Sequence, residues 1–91
     1  MAKYMVERHL PGIKPEELAA AATRAKETTA QMTTEGTPVR YLRSTFVPGE
    51  EKCYCLFDGP TEEAVREANQ RAEIPLIRVT EAMHIASEDL D

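Results

Sequence analysis

No stretch of this chain approaches the ~20 consecutive apolar residues that span a bilayer, so it contains no transmembrane helix. Met1-Ala2-Lys3-Tyr4 runs straight into a strand-like pattern, with no apolar run of signal-peptide length, and the expected location is cytoplasmic. Basic residues are in the minority: 11 Lys and Arg against 16 Asp and Glu give a formal charge of −5. The basic residues stand singly or in pairs among acids and make no coherent face that would displace phosphate counterions. Neither nucleic acid nor an anionic membrane is an expected partner. The 4 glycines fall at element ends and form no phosphate-cradling loop. No Ser-His-Asp arrangement can be picked out, and no catalytic residue is assigned. The 2 cysteines, Cys53 and Cys55, lack C-x-x-C spacing. One residue apart, they project from the same face of an extended strand. Their Cα atoms then lie roughly 6.5–7 Å apart, the outer limit for a disulfide, and both are read as reduced thiols.

What is present describes one α+β domain over residues 1–91. Lys3 to Leu10 is β-leaning through Tyr4, Met5 and Val6, and Pro11-Gly12 closes it. Pro15, followed by Glu16 and Glu17, opens a helix running to about Glu35, with Gly36 as its stop. Leu18, Ala21, Ala22, Ala25, Thr29 and Met32 form its inward stripe, small enough to bring the helix close to a sheet. Val39 to Val47 and Lys52 to Phe57 are two strands joined by the turn Pro48-Gly49-Glu50-Glu51. Thr61 or Asp58 caps a second helix that ends near Glu73, with Ala64, Val65, Ala68 and Ala72 inward. Arg78 to Ala86 reads as the fourth strand, and residues 86–91 as a loose acidic tail.

The order β-α-β-β-α-β is the ferredoxin-like plan, with an antiparallel sheet in the order 4-1-3-2 and both helices on one face. Alternation places Met5, Glu7 and His9 on one side of the first strand and Tyr4, Val6 and Arg8 on the other. Both faces carry apolar residues, while only one has helices to cover it. A homodimer joined through the helix-free face is the expected cover.

Tyr4-x-Val6-Glu7-Arg8 leading to Pro11-Gly12, Tyr41-Leu42-x-Ser44, Tyr54-Cys55-Leu56-Phe57 and Pro60-Thr61-Glu62-Glu63-Ala64-Val65-Arg66-Glu67 together resemble a family of small bacterial proteins. Most of its members are of unknown function, and some are named nickel-binding or nickel-responsive. The resemblance spans nearly the whole chain. It implies a ferredoxin-like fold in a dimeric α+β barrel, and nickel or another divalent metal as a cofactor. It also implies histidine at the positions held here by Arg43 and Ala68, neither of which can ligate a metal.

Divalent metals of the nickel and zinc kind take imidazole and thiolate donors, three or more together. The candidate metal contacts are Glu7 and His9, two residues apart on one face, with Cys55 in support. The plainer reading of Cys53, Cys55 and Phe57 is core packing on a central strand. His9 and His84 belong to opposite ends of the sheet. Tyr41, Arg43 and His84 are the candidate contacts for a small ligand; Arg43, if inward, needs a carboxylate such as Glu7 or Glu81, and otherwise guards a solvated edge. The leading expectation is thus a small binding protein for a metal ion or small molecule. The alternative is a cofactor-free enzyme of the dimeric barrel kind, isomerase- or monooxygenase-like, in which these same three residues polarise a substrate oxygen.

Overall fold

The computed structural model describes residues 1–91. Strand β1 (Ala2–His9) is followed by helix α1 (Pro15–Thr34), strands β2 (Arg40–Val47) and β3 (Lys52–Gly59), helix α2 (Glu62–Arg71) and strand β4 (Arg78–Ala82). The four strands form one antiparallel sheet in the order β2-β3-β1-β4, the ferredoxin-like arrangement that the element order implies. β1 and β3 occupy the centre.

Local chemistry explains the boundaries. Pro15 occupies the first turn of α1, and Glu17 reaches back to accept from the Lys14 backbone N–H at 2.9 Å. Thr61, not Asp58, caps α2: its hydroxyl accepts from the Ala64 N–H at 3.1 Å, while Asp58 pairs with Lys3 at 2.8 Å. Arg24 donates to the Ala72 carbonyl, satisfying the far end of α2 from the neighbouring helix. Gly59 lies at a close approach, where a Cβ would stand 3.0 Å from Val65 Cγ2.

Two expectations need correction at the C-terminal end. β4 stops at Ala82 instead of reaching Ala86, because Ala82 pairs with Lys3 and β1 itself begins only one residue earlier. The acidic tail contains a single 3-10 turn, Ser87–Asp89, in which the Asp89 carboxylate accepts from the Ala86 N–H.

The core lies between the sheet and the two helices. Val6, Val39, Phe57 and Val65 are fully buried there, and Ala25, Met32, Ala68 and Ala72 supply the helical side. Cys53 and Cys55 belong to this layer, as expected of cysteine on an inward strand face. The opposite sheet face has no helix against it.

Candidate functional site

On that helix-free face, adjacent strands stack their side chains in two rungs. Arg43 on β2 pairs with Leu56 on β3, which pairs with Met5 on β1; Thr45 pairs with Tyr54 in the next rung. After Ala82 the chain carries His84 across the sheet to Arg43. The guanidinium Nη2 lies 2.6 Å from both ring nitrogens, a contact between residues 41 positions apart. A guanidinium has only donors, so the imidazole can take part only as acceptor. Arg43, Thr45, Tyr54, His84, Met5 and Leu56 enclose a groove of about 160 Å³. Leu56 is buried although no helix covers it.

Two of the three candidate ligand contacts therefore meet, and the third does not. Strict alternation would aim Tyr41 and Arg43 the same way, but a bulge interrupts β2 between them. Tyr41 consequently pairs with Phe57 and packs edge-on against its ring on the helical side, with its hydroxyl 2.7 Å from Ser44 Oγ. This separates Tyr41 from Arg43 and His84, so the three do not form one constellation for polarising a substrate.

Nor does the sheet bring Glu7, His9 and Cys55 together. Glu7 and His9 are on the helix-free side; Cys55 pairs with Val6 and faces the helices. Both carboxylate oxygens of Glu7 are occupied, one by Arg78 at 2.9 Å and the other by Lys52 at 3.3 Å. The hydrogen bond from Lys52 holds the Glu7 carboxyl below its usual range, against the opposing effect of burial and with help from Arg78. Glu7 reciprocally raises Lys52. His9 is exposed at the strand end and borders a shallow cavity with Pro11, Gly12 and Glu17. Arg43 pairs with neither Glu7 nor Glu81 and takes part in none of the ion pairs of the chain.

The helical side holds a polar cluster that the sequence pattern did not single out. Arg8, only 2% exposed, donates to Asn69 Oδ1 at 2.6 Å, to the Pro75 carbonyl at 3.2 Å and to Cys55 Sγ at 3.3 Å. Asn69 sits in the last turn of α2, so the guanidinium meets the negative end of the helix dipole. Ser44 Oγ is 3.0 Å from Cys55 Sγ, and the two sulfurs are 3.7 Å apart. Spacing offered one clue: Val65, Asn69 and Ala72 recur at helical intervals, which places Asn69 inward.

These positions decide how well a divalent metal fits. Nickel requires several imidazole or thiolate donors at bonding distance, and no three His, Cys, Asp or Glu side chains gather anywhere on the chain. With Glu7 held by two cations and Cys55 on the other side of the sheet, one copy of the chain does not supply a nickel site.

No helix is long and apolar enough to cross a membrane. No curated protein matches the sequence. Among solved structures, the crystal structure of SCO4226 from Streptomyces coelicolor A3(2) is similar in fold, with a TM-score of 0.75 at 23% identity, over 93% of this chain and 100% of that one. The family model described as nickel responsive protein, SCO4226-like, matches residues 4–82. That span includes every strand and both helices except the first two residues of β1, and the chain belongs to the SCO4226-like nickel responsive protein family.

Proposed function

We propose that this chain is a small binding protein that takes a small carboxylate or comparable oxyanion in the groove on the helix-free face. One observation supports it above the rest: Arg43 presents a guanidinium to that groove with no carboxylate of the chain paired to it. A planar fork of N–H donors matches a carboxylate in bidentate fashion. His84 and the hydroxyls of Thr45 and Tyr54 add polar contacts around an apolar floor of Met5 and Leu56. At about 160 Å³ the groove is smaller than a drug-sized pocket, which selects ligands of a few heavy atoms. Met83 and Ile85, strongly exposed on either side of His84, would gain cover if a second copy closed over this face as a homodimer.

Calorimetric titration with a panel of short mono- and dicarboxylates tests this reading. Arg43→Ala removes a charge-assisted hydrogen bond worth about 1.5–3 kcal/mol, so binding should weaken roughly 10- to 150-fold. Tyr41→Phe, on the other side of the sheet, should leave it unchanged. The reading fails if no panel member binds, or if the two variants lose affinity equally.

The description of the family favours a second reading of the same face: a nickel ion whose donors come from two copies, His84 from each among them. Nickel titration of tag-free protein, followed by sedimentation, separates the two. Nickel binding that assembles a dimer and disappears in His84→Ala supports the shared ion; a monomer that takes up no nickel refutes it.

A further inference from the structure

The cluster beneath the helices plays no part in the proposed binding role, and its composition is unusual. A charge buried as deeply as that of Arg8 is costly unless an opposite charge or a full set of hydrogen bonds compensates it. Its partners are an amide oxygen, a backbone carbonyl and the sulfur of Cys55. Among them only the sulfur can become an anion. Next to it lies a cavity of about 10 Å³, lined by Arg8, Tyr41, Ser44, Cys53 and Cys55 against the small residues of α1. That is room for about one water molecule.

We propose that this cluster is a peroxide-reactive thiol site, in which Cys55 is the sulfur oxidised, Cys53 the thiol that closes a disulfide onto it, and Arg8 the positioning residue. The cavity is no larger than one water molecule, so hydrogen peroxide, the smallest two-electron oxidant, reaches the sulfur only as the lining side chains give slightly, and an aromatic disulfide reagent is shut out. In the first step Cys55 gives up its proton, and the sulfur, held beside Arg8, attacks one peroxide oxygen. The S–O bond forms as O–O breaks, and the departing hydroxide takes up the released proton as water. In the second step the sulfur of Cys53 attacks that of Cys55. The S–S bond forms as S–O breaks, and the oxygen leaves with the Cys53 proton as a second water. Two thiols are oxidised to one disulfide and one peroxide is reduced to two waters; a small-molecule dithiol reverses the change.

The geometry sets the order of events. Cys55 has the guanidinium at 3.3 Å and the Ser44 hydroxyl at 3.0 Å to support negative charge on sulfur. Burial and the adjacent Cys55 sulfur push the Cys53 thiol up to about 11, which disfavours it as the sulfur that attacks first. The sulfurs start 3.7 Å apart and must approach to about 2.05 Å. Two residues of one extended strand lie at the outer limit of disulfide spacing, so the product is strained and readily reduced.

Reduced native protein is exposed to hydrogen peroxide, quenched at intervals into denaturant containing dimedone, and mapped by mass spectrometry. Wild type should lose the mass of two hydrogens, restored by dithiothreitol. Cys53→Ser should accumulate the dimedone adduct on Cys55, at a rate at least about tenfold above that of Cys53 in the Cys55→Ser variant. In denaturant the two rates should converge. Arg8→Lys, which keeps a cation, should retain more of the Cys55 rate than Arg8→Met, with native circular dichroism in both. If Arg8→Met does not fold, the comparison of Arg8→Lys with wild type stands in its place, with a slower Cys55 and an unchanged Cys53 expected. Equal native rates at the two sulfurs, prior oxidation of Cys53, or no reaction short of unfolding overturns the proposal. A Cys55 rate indifferent to position 8 overturns the role of Arg8.

Discussion

Asn69→Ala offers a direct measure of what the buried guanidinium costs. The substitution deletes the 2.6 Å acceptor of Arg8 Nη2 and also the bond from Asn69 Nδ2 to the Val65 carbonyl at 2.7 Å. Both partners are buried, Asn69 at 1% exposure and Arg8 at 2%, so water cannot replace the lost oxygen without opening the helix layer. A hydrogen bond to a charged group is worth about 1.5–3 kcal/mol, and leaving a buried charge short of partners raises the total to about 3–5 kcal/mol. Against a domain stability of roughly 5–13 kcal/mol for a chain of this length, that is a large fraction. With a urea m-value near 1.5 kcal/mol/M, the midpoint should fall by about 2–3 M at constant m. The double variant Arg8→Met/Asn69→Leu removes charge and acceptor together and should recover much of the loss, because an apolar pair of similar volume leaves no orphaned ion. The reasoning is refuted if Asn69→Ala shifts the midpoint by less than about 0.3 M, or if the two changes simply add.

Three further perturbations follow from single features. Gly59→Ala places a methyl 3.0 Å from Val65 Cγ2 and should cost about 1–3 kcal/mol in urea unfolding. Glu73, just past α2, holds a left-handed backbone at φ 56°; Glu73→Gly should stabilise by about 0.5–1 kcal/mol, seen as a higher thermal midpoint. The Glu7 carboxyl is held below its ordinary 4.5 chiefly by Lys52. Its contribution is fully present above that value and is lost as pH falls through the lowered one, so Glu7→Gln should flatten the acid limb of a plot of thermal midpoint against pH.

Much of the architecture was written in local pattern. Pro15 with Glu16 and Glu17, the Pro48–Glu51 turn and the cap at Thr61 each determine an element boundary through chemistry confined to a few residues. The alternation of Tyr4, Val6 and Arg8 against Met5, Glu7 and His9 likewise assigned the two faces of β1 correctly. The end of β4 was not legible, because it depends on where its partner begins. Val79 to Ile85 keeps a strand-like composition throughout, yet β1 offers nothing to pair beyond its first residues.

The site was legible only as far as period-two reasoning holds. Arg43 and His84 meet in the groove because β2 carries a bulge and the chain leaves the sheet after Ala82 to cross its helix-free face; neither event leaves a signature in composition. The same bulge reverses Tyr41, which then joins Ser44 and Cys55 beneath the helices. The bulge thus sends Arg43 to the imidazole on one face and leaves Tyr41 with Ser44 beside the thiols on the other. Arg8 shows the limit most sharply. Alternation grouped it with Tyr4 and Val6 on one face of β1, but burial of its charge is set by Asn69 and Pro75, more than 60 residues away. A buried cation is read from its partners, and partners so distant become visible only when the helices are in place.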